Sequence, residues 1–296
     1  TTGHNNSALG RRALDQNTTG SQNTALGQGA LENNTTASEN VAIGHGAMDA
    51  CTTGFENTAV GTDSLGALTT AERCVAVGRQ AGLSITTGSR NHAFGYEALE
   101  ACTTGENNTA VGFHALLKVT NGTQNTAVGK DAGDELTTGD SCTFIGHNAG
   151  KTSTTGNNNI CLGHEAQTTN ATVGDQIILG NGGNNDLRCN DQSIGSLSDA
   201  RDKTDVVDLP VGLSFINSIR PVKFKWASRD GNGHDGKIRA GFLAQELQTA
   251  SANATYLNLV QDDNPEKLVA KYGNLIPVMV QAIKELSAKV TALEAG

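Results

Sequence analysis

A small apolar residue, a larger apolar residue and a glycine follow one another, and the trio returns every 17 residues for most of the chain. The glycines are Gly10, Gly27, Gly44, Gly61, Gly78, Gly95, Gly112, Gly129, Gly146, Gly163 and Gly180. Eleven units without an insertion predict a stack in which each repeat contacts only its neighbours, a solenoid or fibre. Two places before the glycine stands Ala in eight successive units, Ala8 to Ala127, and one place before it Leu, Ile, Val or Phe, from Leu9 to Leu179. Adjacent strand residues point to opposite faces, so the small residues line one face and the large ones the other. Both faces are expected to be covered, one inside the coil and the other most simply by another copy of the chain.

Polar positions keep the same period. Four places before the glycine stand Asn6, Asn23, Asn40, Asn57, Asn91, Asn108, Asn125 and Asn159, with Cys74 and Cys142 in the same column. At the strand spacing of about 4.8 Å such amides can hydrogen-bond along a ladder. A Thr-Thr-Gly corner recurs, as at Thr52-Thr53-Gly54 and Thr103-Thr104-Gly105, where glycine is expected to take the positive φ of a tight turn. Eleven rungs make a rod on the order of 50 Å long.

After Asp199 the periodicity changes. Leu213, Ile216 and Ile219 have helical spacing behind Pro210; Pro221 then breaks the pattern and Val222, Phe224 and Trp226 alternate as a strand does. RDGNGHDGK reads as a loop, and IRAGFLAQELQTA as a strand running into a short helix. Ile276, Met279, Ile283, Leu286, Val290 and Leu293 follow steps of three and four, which is heptad spacing. The expected fold is an all-β repetitive solenoid fibre, trimeric, followed by a small α+β domain that ends in a coiled-coil helix. Its boundaries are 1–185 for the shaft, 186–197 for a linker and 198–296 for the second domain, with the helix at 275–294. A helix packed back on its own domain is the alternative to the coiled coil.

Composition sharpens this division. All four prolines, the one tryptophan and 12 of the 21 basic residues lie after residue 197. A net charge of −9, with nine basic side chains in the first 197 residues, argues against nucleic acid as a partner. No run approaches the roughly 18 apolar residues of a membrane span. The chain begins inside its repeat pattern, as a piece of a longer protein would.

Three chemistries suggested by the repeats carry less weight. Adjacent threonines give one Thr per face, unlike the two-apart arrays of ice-binding solenoids. Cys51 and Cys102 are three rungs apart, about 14 Å, beyond the roughly 7 Å that a disulfide spans, and Cys74 and Cys142 are farther still. Small buried thiols are the expectation, with Cys161 and Cys189 left open. His147 and His164 share a column in adjacent rungs and would form rings in a trimer; surface histidines are favoured over an ion site, and no cofactor or metal is expected.

Two resemblances attach to these motifs. NNTAVGFHALLKVTNGTQNTAVG is similar to the repeats of phage tail fibres and, more distantly, to the β-roll heads of trimeric bacterial adhesins. LSDARDKTDVVDLPVGLSFINSIRPVKFKW, then GFLAQEL, then YGNLIPVMVQAIKEL, resembles the C-terminal intramolecular chaperone of phage tailspikes and tail fibres, a self-cleaving serine–lysine peptidase family. The resemblance implies a homotrimer, a virion location after synthesis in the host cytoplasm, and a receptor that is a glycan or outer-surface protein of the host cell. It places the dyad on Ser198 and Lys203 and the cut at Ser198–Asp199; the five-membered ring of an N-to-O acyl shift makes Leu197–Ser198 the second choice. Asp199 and Arg201 are candidate supporting residues, Arg201 orienting a carboxylate or steadying the oxyanion. Gln245 and Glu246 are expected to hold the fold or the trimer. A cellular adhesin, or a tailspike shaft that binds or hydrolyses glycans, is the competing expectation.

Lysine can activate a serine hydroxyl only when its amine is neutral. Burial lowers a lysine pKa and nearby carboxylates raise it, so Lys203, close to Asp199 and Asp202, is expected to work only once assembly covers it.

Overall fold

A computed structural model describes residues 2–181, 198–225, 227, 236–266 and 268–296. Trp226, Cys189, Leu197 and the linker expected at 186–197 lie outside the described residues. The chain divides into two compact units, 1–181 and 182–296.

The first unit is a β-solenoid. Its eleven strands, β1 (Ser7–Leu9) to β11 (Ile177–Leu179), lie in one parallel sheet in chain order. Every partner is 17 residues away, as in Ala42 beside Ala59 and Ala59 beside Ala76. Each strand is three residues long, with Ala buried between flanking Thr, Val, Ile or Leu in most rungs. β-branched residues favour this extended geometry. The outward apolar column stays partly open: Val77, Val111 and Ile145 are 38%, 37% and 43% exposed. The inward face is covered by its own coil, whereas the outward face of the single chain is not.

Buried amides form the ladder. Asn125 donates through its backbone N and Nδ2 to Asn108 Oδ1 at 3.0 and 3.1 Å, and its Nδ2 also donates to Gly139 O at 2.8 Å. Cys74 and Cys142 still donate their backbone N to the preceding Asn, so the thiols interrupt the side-chain ladder but not its backbone half. Gln176, in the same column, donates its backbone N to Asn159 Oδ1 at 3.1 Å and continues it. The first threonine of each corner bonds upward as well, Thr103 Oγ1 donating to Thr120 O at 3.2 Å, and the second threonine faces outward.

The corner glycines correct one expectation. Gly54 and Gly105 do not have positive φ; a Cβ on Gly54 would lie 2.5 Å from Ala71 O, so close approach of the next rung is what selects glycine there. The left-handed residue is instead the one before the ladder position, Glu56, Arg90, Asn107 and Gln124 among others, with φ near +60°. Leucines take the same strained conformation at Leu65, Leu99 and Leu116, where each is fully buried. Burying a leucine stabilises by about 1.5–3 kcal/mol, which offsets a left-handed cost of about 1–2 kcal/mol.

Cys51, Cys74, Cys102, Cys142 and Cys161 are free and buried. Burial pushes the thiols of Cys51, Cys74 and Cys161 up to about 11 and that of Cys102 to about 12. They pack as small apolar groups.

The second unit has a core of Phe215, Leu247, Leu257, Leu259, Leu275 and Val278. Helix α1 (Leu213–Ser218) buries Phe215, a residue outside the Leu213, Ile216, Ile219 triplet of the sequence reading. β12 (Val222–Phe224) pairs antiparallel with β13 (Arg239–Gly241), and α2 (Ala244–Ala250) follows. A further pair, β14 (Val260–Gln261) with β15 (Val269–Ala270), was not foreseen from the sequence. Helix α3 (Ile276–Glu294) begins one residue after the expected start, behind a short 3-10 turn, Tyr272–Leu275.

Phe144 replaces alanine on the inward face of β9 (Thr143–Ile145), and glycine replaces leucine at Gly133 and Gly150 on both sides of it. A Cβ on Gly133 would lie 2.7 Å from the Phe144 ring, and one on Gly150 would clash with it as well. The ring occupies the volume that two leucines fill in other rungs. Phe144→Ala is expected to destabilise the solenoid by about 3–5 kcal/mol, because neither glycine can refill the cavity. A shift of the denaturant midpoint is the readout, and an unchanged midpoint would contradict this packing.

Candidate active site

The second unit's described part opens at Ser198, and its first eleven residues, 198–208, are all exposed, so the segment is held by its own polar contacts. Asp199 caps a short 3-10 turn, Ala200–Asp202, its Oδ1 accepting from Arg201 N at 2.9 Å. Lys203 closes the turn, its backbone N donating to Ala200 O at 3.3 Å. The turn carries the lysine side chain back over five residues, and Lys203 Nζ donates to Ser198 Oγ at 2.5 Å. The two dyad candidates are therefore in contact.

Both remain open to solvent. In this contact the Lys203 amine is the donor and the Ser198 hydroxyl the acceptor.

Arg201 meets Asp199 and not an open oxyanion position. Its Nε lies 3.0 Å from Asp199 Oδ1 and its Nη2 2.6 Å from Oδ2. The guanidinium beside it holds the Asp199 carboxyl below the usual carboxylate range. Asp199 is also the residue after the expected scissile bond; Leu197, on the other side of Ser198, lies outside the described residues.

Behind this segment the domain is tied by contacts across long stretches of chain. Glu285 of α3 accepts from Leu213 N at 2.9 Å and so fixes the start of α1. Glu246 of the AQE motif pairs with Arg220, with Nε at 3.3 Å from Oε2, which anchors the turn into Pro221. Gln245 is exposed. Phe242 N donates to Tyr272 Oη at 3.2 Å, and Gly241 leaves room for that ring. Sequence reading missed Glu285 and Tyr272, because neither has a local pattern to mark it.

Helix α3 turns two faces outward and inward. Val278 and Ala282 are buried against the domain. The heptad residues point the other way: Ile276, Ile283 and Leu293 are 62%, 64% and 81% exposed, and Met279, Leu286 and Val290 about half so. The helix thus packs on its own domain through one face and leaves the heptad stripe open on the other.

On the shaft, His147 and His164 stack with ring centroids 5.2 Å apart, and both are exposed. Among the described residues no group of three or more His, Cys, Asp or Glu is arranged to hold a metal ion. No described helix is long and apolar enough to cross a membrane.

Residues 198–256 match the family model described as the chaperone of endosialidase, Peptidase_S74. That family is one of self-cleaving peptidase domains, and the match starts at Ser198. It stops before YGNLIPVMVQAIKEL, so the third motif of the sequence resemblance lies beyond it. No curated protein and no solved structure matches the chain. A 17-residue β-solenoid followed by this domain is the arrangement of a tail fibre with a C-terminal intramolecular chaperone.

Proposed function

We propose that the second unit brings three chains together, sets the register of their shafts, and then releases itself by cutting at Ser198. The observation that carries the cleavage is the 2.5 Å contact between Lys203 Nζ and Ser198 Oγ at the first residue of the family match. The fibre serves in the virion, where the released shaft reaches a glycan or outer-surface protein on the host cell.

Assembly is what switches the chemistry on. The dyad is exposed in one chain, so covering it with neighbouring copies removes water from Lys203 and favours its neutral form. Ser198 Oγ then gives its proton to Lys203 Nζ and attacks a carbonyl. Attack on the Ser198 carbonyl by its own hydroxyl would close a four-membered ring. The serine of a neighbouring copy avoids that strain: its Oγ forms an ester with the Ser198 carbonyl carbon, and the Asp199 nitrogen leaves as an amine with the proton from Lys203. Water then hydrolyses the ester.

Three copies are favoured by the heptad stripe of α3, an apolar seam that is left exposed among the described residues. A clamp at one end answers a problem of the shaft. Its outward column repeats so evenly that copies displaced by one rung keep nearly the same contacts. Cleavage afterwards removes the assembled end from which unfolding would start, leaving a shaft that persists for kinetic reasons.

Intact mass distinguishes the two bonds and tests the dyad. Wild type is expected to release a fragment beginning at Asp199, while Ser198→Ala and Lys203→Ala stay whole and still trimeric. A fragment longer by one serine would move the cut to Leu197–Ser198; an uncut wild-type trimer would remove the catalytic assignment.

The stripe has its own test. Ile283→Asp with Leu286→Asp places charges where the side chains are already exposed, so each domain should fold but sediment as a monomer and leave Ser198 uncut. A trimer that survives both substitutions would exclude this seam.

A further inference from the structure

Arg201 stands in an unusual place for a structural arginine. The 3-10 turn that it belongs to buries no residue, so no core contact shapes it. Its order comes from one carboxylate: Asp199 Oδ1 accepts from Arg201 N and Nε at 2.9 and 3.0 Å, and Oδ2 accepts from Nη2 at 2.6 Å. Such a planar fork fixes direction as well as charge.

Four carboxylates, Asp199, Asp202, Asp205 and Asp208, and one guanidinium, Arg201, share the exposed segment with Lys203. An opposite charge within about 4–6 Å of an amine stabilises the ammonium. That form cannot act as the base. Asp199 adjoins the serine in sequence, and its carboxylate is paired with Arg201. Lys203 Nζ meets the serine instead.

From this geometry we infer that Arg201 is a positioning residue for self-cleavage: it clasps the Asp199 carboxylate, so that the Lys203 amine is left to Ser198. The inference rests on the serine–lysine reading above. It assigns Arg201 no contact with the reacting carbonyl. Its effect passes through Asp199, and removing that charge should make the arginine dispensable.

The test compares full-length wild type, Arg201→Ala, Arg201→Lys and Arg201→Ala with Asp199→Asn, following cleavage by intact mass from pH 6 to pH 10. Loss of the clasp should shift the pH profile of Arg201→Ala upward by about one unit and slow cleavage about tenfold at neutral pH. Arg201→Lys, which keeps the charge without the fork, should fall between. Adding Asp199→Asn should return the profile to that of wild type. An unshifted profile in Arg201→Ala, or a double variant as slow as the single one, would overturn the inference and point to direct or purely structural action.

A second measurement does not depend on cutting. In the uncut Ser198→Ala chain, NMR titration of the Lys203 amine should show a higher pKa after Arg201→Ala and its reversal after Asp199→Asn. No change there overturns the clasp even if wild type cleaves. Conversely, a wild type that never cleaves removes the serine–lysine reading, while this titration still decides what Arg201 does.

Discussion

A buried amide that gives its protons to one rung and takes them from the next is the interaction on which this shaft depends. Asn108 donates its backbone N and Nδ2 to Asn91 Oδ1 at 3.0 and 3.1 Å, and its own Oδ1 accepts both from Asn125; its Nδ2 also reaches Gly122 O at 2.8 Å. Such an amide is fully satisfied only if the repeat is 17 residues, neither more nor fewer, because an unpaired buried group costs about 1–3 kcal/mol. The absence of insertions from Gly10 to Gly180 follows from that requirement. It also explains why glycine recurs at the corners, where a neighbouring carbonyl leaves no room for a Cβ.

Regularity within a chain creates ambiguity between chains. Inside the coil, Phe144 with Gly133 and Gly150 breaks the repeat and gives that part of the core one fit. The outward column has no comparable marker over most of its length, being Val77, Val111, Val128 and their like. A shaft built this way needs its alignment set elsewhere. In the proposed trimer the second unit supplies that alignment through α3, a helix with one face buried in its own domain and a second, apolar face open.

The proposed link from assembly to chemistry is solvent. Ser198 and Lys203 are already in contact in the single chain, so proximity is not what assembly adds. In the proposed scheme, water is what separates the exposed pair from an active one, since burial favours the neutral amine that can accept a hydroxyl proton. In the proposed scheme, timing is thereby tied to completion of the trimer, with the Arg201–Asp199 pair keeping a competing charge occupied meanwhile.

Much of this was legible in the sequence because periodicity reports on neighbours. The eleven strands, the Asn column and the strand-to-helix run at GFLAQEL follow from spacing alone, and resemblance singled out Ser198 and Lys203, which the structure brings into contact. The left-handed positions did not, because Glu56, Arg90, Asn107 and Ser141 share a backbone shape and no side-chain chemistry. The Thr-Thr-Gly glycines misled for a related reason: glycine serves close approach as well as positive φ. Contacts such as Glu285 to Leu213, 72 residues apart, leave no local trace, and β14 and β15 are too short for a pattern. The central claim, that the copies share one alignment, is tested most directly by pulsed electron spin resonance on Thr104→Cys, an outward position, in a Cys189→Ser background where the other thiols are buried. Labels at the same height should give one narrow distance, unchanged when the label is moved to Thr36. A broad set of distances offset by rungs of about 4.8 Å, or no coupling between chains at all, would contradict it.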